Sequence, residues 1–214
     1  MTQANDTGIR LLYSAERSAL TDLSEINLAL APFGSRIWSL DLSERPQDVR
    51  QLLKQETLNV SESTQVQECF LLSRERLLSV IEEAGRVPQV AGGGEMSTLN
   101  RTHNITYPQL YIVVPGIDYS RFDRFHVNVT SDGIGVDEVM QVVSGGGVRL
   151  LQHLPGQGLV TLEIDCFDDD SGWIITYDGA YPHIGSISGA QEGTKVLMQV
   201  IGPCQWDMKY EEKD

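Results

Sequence analysis

The second half of the chain constrains the fold most. From Leu110 onward, short apolar or alternating runs follow one another: Leu110 to Val114, Phe125 to Val129, Val139 to Val143, Val148 to Leu151, Leu159 to Ile164, Trp173 to Tyr177 and Lys195 to Ile201. Turn residues separate them, as in Ser144-Gly145-Gly146-Gly147 and Asp168-Asp169-Asp170-Ser171-Gly172. Runs this short, without a helical stripe, predict strands paired antiparallel in a sandwich or barrel. The tail from Met208 to Asp214 is expected to be an exposed end.

The first half reads as mixed. Ile9 to Tyr13 and Arg36 to Leu42 predict strands, and Gln65 to Leu72 predicts another. Helix formers run from Ser14 to Leu30, before Pro32 and Gly34. Ser43 and Pro46 are placed to open a helix that reaches Leu53. Ser73 is placed to cap a helix over Arg74 to Ala84, with Leu77, Leu78 and Ile81 on one face and Gly85 at its end. Val87 to Asn104, with Pro88 and the run Gly92-Gly93-Gly94, reads as a linker or lid. The expected fold class is therefore α+β and mainly antiparallel β. A mixed region over 1–106 packs on a barrel domain over 107–214.

Charge narrows the function. The net charge is −14, and residues 108–214 hold only 6 of the 16 basic residues against 16 of the 30 acidic ones. Such a field repels phosphate backbones and anionic membranes, so neither nucleic acid nor membrane is an expected partner. No apolar leader and no run of membrane-spanning length is present. The three cysteines, Cys69, Cys166 and Cys204, are far apart and form no CxxC pair. That usage fits a reducing compartment, so a cytoplasmic location is expected.

Four histidines are available for chemistry: His103, His126, His153 and His183. His126 and Asn128 share one face of the predicted strand Phe125 to Val129, because side chains alternate with period two. Glu138 opens the next apolar run, and His183 follows the strand Trp173 to Tyr177. His153 and His103 read as turn and linker residues. Ahead of His126, Tyr107, Tyr111, Tyr119, Phe122 and Phe125 cluster with Arg121 and Arg124. These predict a pocket rim, with Arg121, Arg124 and Tyr111 orienting an anionic or aromatic small molecule. The acidic run Asp165 to Asp170 lacks the spacing of a calcium loop and reads as a hairpin turn.

Three of these features resemble the cupin superfamily over roughly residues 110–203. Glu138 to Gly145 keeps the spacing Glu-x6-Gly, His126-x-Asn128 stands in place of His-x-His, and Tyr181-Pro182-His183 follows an apolar strand. The chain departs from the motifs in three places. Asn128 replaces the second histidine, nine residues separate Asn128 from Glu138, and Pro182 adjoins His183. The resemblance implies a jelly-roll barrel that binds a small molecule and a divalent metal. Its ligands would be His126, Glu138 and His183, with Asn128 as a weak fourth ligand or a donor to a ligand. Two imidazoles and a carboxylate suit Fe, Mn, Ni or Zn and leave positions open. Glu138 would double as the catalytic group of an oxygenase, isomerase or lyase acting on a small polar metabolite. The missing histidine leaves open a non-catalytic ligand-sensing or structural barrel, including a homodimer paired strand to strand. A further alternative is an Fe(II)/2-oxoglutarate-type oxygenase. For that reading Asn128 replaces the acid, and Lys195 is the only nearby cation after His183.

Overall fold

The computed structural model describes residues 8–14, 18–88, 108–203 and 206–211. The Gly92-Gly93-Gly94 run, His103, Tyr107 and Cys204 lie outside these residues. The first half supplies strands β1 (Ile9–Tyr13) and β2 (Arg36–Asp41) and helices α1 (Leu23–Leu30), α2 (Gln47–Leu53), α3 (Val60–Phe70) and α4 (Arg74–Glu83). The second half supplies β3 (Gln109–Ile112), β4 (His126–Val129), β5 (Asp137–Ser144), β6 (Val148–Leu154), β7 (Gly158–Ile164), β8 (Ser171–Asp178), β9 (His183–Ser186), β10 (Lys195–Ile201) and β11 (Asp207–Tyr210).

The strands form two antiparallel sheets. One runs β1-β7-β6-β9-β4-β11 and the other β2-β8-β5-β10-β3. The two strands of the first half thus pair with strands of the second, β1 with β7 and β2 with β8. Facing side chains fill the space between the sheets, among them Leu11, Met140, Val142, Leu150, Leu162 and Ile175. Helices cover the other face of the second sheet. Leu52, Val66 and Phe70 pack on Val143 and Leu197, and Leu77, Val80 and Ile81 pack on Val139 and Ile201.

Burial along each strand follows from these layers. β5 is buried at every position but its last, because both of its faces are covered. β6 alternates instead: Val148, Leu150 and Leu154 point inward, while Arg149 and His153 are exposed. Each fully buried Val, Leu or Ile contributes roughly 1.5–3 kcal/mol of transfer free energy, so this pattern fixes the register of the sheets. No helix among the described residues is long and apolar enough to cross a membrane.

Four local expectations are corrected. Gln65 to Leu72 is not a strand, since residues up to Phe70 belong to α3. A capping box opens that helix: Asn59 accepts from Glu62 N–H at 3.0 Å, and the Glu62 carboxylate accepts from Asn59 N–H at 2.8 Å. The first helix begins at Leu23, not Ser14. Leu20 is bridged to Leu11, and the Asp22 carboxylate caps the N–H groups of Ser24 and Glu25. Ser43 does not cap α2; its hydroxyl and N–H both go to Asp41. The tail is not a loose end, because β11 pairs with β4 and buries Met208.

Candidate metal centre

The two histidines meet through strand pairing. β4 and β9 lie side by side with His126 directly opposite His183. Their rings are 4.4 Å apart, centroid to centroid. Across the interior, β5 and β8 place Glu138 opposite Tyr177. Each sheet therefore contributes one side of the site. Glu138, Asn128 and His183 are each no more than 3% exposed.

The Glu138 carboxylate is the hub. Its Oε1 accepts from Asn128 Nδ2 at 2.8 Å and lies 3.1 Å from His183 Nε2. Its Oε2 accepts from the Tyr177 hydroxyl at 3.0 Å. The Thr176 hydroxyl donates to the Glu138 carbonyl at 2.9 Å. Arg86 in turn donates to Thr176 Oγ1 and to Asp137 Oδ1, both at 2.8 Å. Gly179 lets the backbone approach: a Cβ there would sit 2.9 Å from Glu138 Oε1 and 2.8 Å from the Val136 carbonyl.

Both imidazoles have a fixed tautomer. His126 Nδ1 is 2.9 Å from the Arg124 carbonyl, and His183 Nδ1 is 2.8 Å from the Tyr181 carbonyl. A carbonyl only accepts, so each Nδ1 carries a proton, and Nε2 presents a lone pair when the ring is neutral and a second N–H when it is charged. His183 Nε2 faces a carboxylate oxygen. Two acceptors at this distance require a proton or a cation between them. The contact is badly aligned for an N–H···O hydrogen bond, and His183 Nε2 and Asn128 Oδ1 are buried without hydrogen-bond partners.

Burial by itself would raise the Glu138 pKa. The charge and proton of His183, the Asn128 amide and the charge of His126 outweigh it and hold the carboxyl at about 2. Burial likewise lowers the His183 pKa, but the Glu138 carboxylate and the Tyr181 carbonyl raise it above the ordinary value of 6.5. In metal-free protein the two shifts act in opposite pH directions. The Glu138 contribution to stability is present above 4.5 and lost as pH falls toward 2. The His183 contribution is complete below 6.5 and lost as pH rises through its higher folded value. The pair therefore stabilises the metal-free fold most between 4.5 and 6.5. Urea unfolding of metal-free wild type against His183→Gln should show the largest difference in that window; a difference flat from about pH 4 to 8 contradicts the assignment.

The His183–Glu138 pair has the spacing of two ligands on one divalent ion. Two cis ligands, each about 2.1 Å from an octahedral ion, stand about 3 Å apart, which is the His183–Glu138 separation. Each imidazole has the backbone partner that orients a metal-binding histidine. Among the described residues no three His, Cys, Asp or Glu side chains are grouped tightly enough to enclose an ion. The close pair is His183 with Glu138, and His126 stands beside it.

A cavity of about 390 Å³ opens over this site. Tyr111 and Arg121 line it together with His126, Glu138 and His183. Arg124 does not line it; its guanidinium lies 4.2 Å from the ring of Tyr210, which does. Asn128 faces Glu138 as an amide donor, since only its nitrogen can face a carboxylate oxygen. His153 is on β6, not in a turn, and its exposed ring lies 4.6 Å from Phe125. Lys195 is remote from the cavity walls. It is fully buried, and its Nζ donates to the carbonyls of Leu53, Gln55 and Gly193 at 3.0, 2.6 and 2.8 Å. The acidic turn before β8 carries ion pairs: Lys54 with Asp169 at 2.6 Å, and Arg50 with Asp170.

Sequence reasoning missed Tyr177, Tyr210 and Met208. Tyr177 shares an inward face with Trp173 and Ile175 by strand alternation, a signal readable once β8 is placed. Tyr210 and Met208 alternate with Asp207 and Lys209, which is a strand pattern in the tail.

No protein-family model matches the chain, and no curated protein matches it in sequence. Its fold is similar to a solved structure of acireductone dioxygenase from Bacillus anthracis with a cadmium ion in the active centre. The TM-score is 0.55 at 12% identity, covering 90% of this chain and 91% of that one. The likeness is one of fold, and it supports the cupin-like architecture that the motifs implied.

Proposed function

We propose that the chain is a cupin-type, metal-dependent enzyme acting on a small molecule in this cavity. His126, Glu138 and His183 hold the divalent ion, and Asn128 and Tyr177 keep the Glu138 carboxylate in place. The carrying observation is the 3.1 Å approach of His183 Nε2 to Glu138 Oε1 on the wall of the cavity, the separation that two neighbouring ligands of one ion would have. The similarity of fold to a dioxygenase with cadmium in its active centre supports the same reading. A bound divalent ion supplies Lewis-acid or oxygen-activating chemistry and keeps open positions for substrate.

The chain's own residues do the rest. Glu138, its two oxygens held by the Asn128 amide and the Tyr177 hydroxyl, is the carboxylate that would ligate the ion and serve as the catalytic group. The T-shaped contact of Tyr177 with His183, 5.1 Å between centroids, fixes the imidazole plane. The apolar walls exclude water from the buried carboxylate. A second reading, a ligand-sensing barrel without catalysis, is favoured by one observation: Asn128 stands where the cupin motif has a ligating histidine, and it donates to Glu138.

Metal analysis of the purified chain tests the first reading. After loading with Fe, Mn, Ni or Zn and desalting, we expect about one equivalent per chain for at least one of them. Retention of none of the four overturns it.

A further inference from the structure

The cavity has a strong polarity. At its floor the Glu138 carboxyl group is buried to 3% exposure. Opposite in character is Arg121, an exposed residue on the turn Ser120–Phe122 that also lines the cavity. Its guanidinium lies 4.7 Å from the Phe122 ring and forms no salt bridge among the described residues. The neighbouring Asp118 carboxylate accepts from the Ser120 N–H at 2.8 Å and interacts with the Arg121 charge without forming a salt bridge to it. Between floor and mouth the walls are apolar, with Met140, Met198, Met208 and Ile187. Methionine suits such a wall, because its flexible thioether packs on rings and chains alike.

Gly185 is the second element. It follows His183 by two residues on β9, so both belong to the same face of that strand. It lines the cavity, and a Cβ built on it would meet nothing within 4 Å. Its backbone is outside the positive-φ region, so other residues are tolerated there. Glycine at this point therefore serves space rather than backbone conformation. The cavity of about 390 Å³ equals the share of about a dozen liquid waters, which suits a ligand with one ring or a short chain.

Resting on the functional reading above, we infer that the substrate class is a small monocarboxylate with an apolar body, its carboxylate on Arg121 at the mouth and its body lying over Gly185. One cation at the mouth matches one negative charge. The net charge of −14 disfavours a doubly charged group such as a phosphate ester. A guanidinium recognises a carboxylate by a bidentate pair of hydrogen bonds, which an alcohol cannot return.

Calorimetric titration tests this with 3-phenylpropanoate, 3-phenylpropan-1-ol and phenyl phosphate as probes. The metal content of each sample is measured in parallel. The inference expects the carboxylate to bind wild type at least about tenfold tighter than the alcohol or the phosphate. Arg121→Gln should remove that preference, and Gly185→Leu should abolish binding while circular dichroism and metal content stay unchanged. Equal binding of acid and alcohol, an unchanged preference in Arg121→Gln, tighter phosphate binding, or binding of none of the three overturns it. Failure of the metal reading shows separately, as metal-free protein that still selects the carboxylate through Arg121.

Discussion

His183→Ala should lower divalent-metal affinity by at least about a hundredfold. Structural zinc sites with four ligands bind with about 10–16 kcal/mol, so one ligand is worth about 3 kcal/mol, or about two orders of magnitude. His183 is 1% exposed, its Nδ1 is fixed on the Tyr181 carbonyl and its Nε2 is 3.1 Å from Glu138 Oε1. No other described side chain offers that lone pair to the carboxylate. Glu138→Gln should do the same by removing the negative charge, while keeping size and the contacts to Tyr177 and Asn128 within reach. Competition with a chromophoric chelator reads both. His153→Ala is the control: its exposed ring packs on Phe125 away from the site, so affinity should not change. Undiminished affinity in His183→Ala would place the ion elsewhere.

Asp137→Ala should destabilise the fold by about 3–5 kcal/mol, the cost of leaving a buried charge without its partner. The Arg86 and Asp137 side chains are only 10% and 4% exposed, with Nε 2.8 Å from Oδ1. Arg86 also donates to the Gly34 carbonyl and to Thr176 Oγ1, so it ties the end of α4 to the strand that carries Glu138. For a chain of this size the melting temperature should fall by roughly 6–20 °C. The double variant Arg86→Met with Asp137→Leu should recover most of the loss, because an apolar pair needs no charge compensation. A loss below about 1 kcal/mol for Asp137→Ala would show that water, not protein, solvates the guanidinium. The surface pair of Lys54 with Asp169, both more than half exposed, should matter far less.

The strands of the second half were legible because their physics is local. Alternation and turn residues mark β5, β7, β8 and β10 to within two residues at each end, while β6 runs three residues past Leu151 and takes in His153; Ser73 does cap α4. α3 was misread because Val66 and Phe70, one helical turn apart, sit among polar residues that also alternate; the capping box at Asn59 and Glu62 was the missed signal. β9 is a four-residue strand whose stability comes from neighbours distant in sequence, so no local pattern fixes it. At the site, the cupin resemblance pointed to His126, Glu138 and His183, and all three line one cavity, with His183 and Glu138 the close pair. Arg86 was not, because its partner Asp137 lies 51 residues away and only the packed fold brings them together. Arg124 was given a rim role from its position in a charged and aromatic run, but its guanidinium lies over the ring of Tyr210 and does not line the cavity.

Anomalous diffraction from crystals grown with Mn or Zn, with data on both sides of the metal edge, tests the central claim most directly. The account predicts one peak per chain in the cavity, about 2.0–2.3 Å from His183 Nε2 and from a Glu138 carboxylate oxygen, with His126 as the third protein ligand. No peak there, with His183 and Glu138 still 3.1 Å apart and bridged by a proton alone, would contradict it.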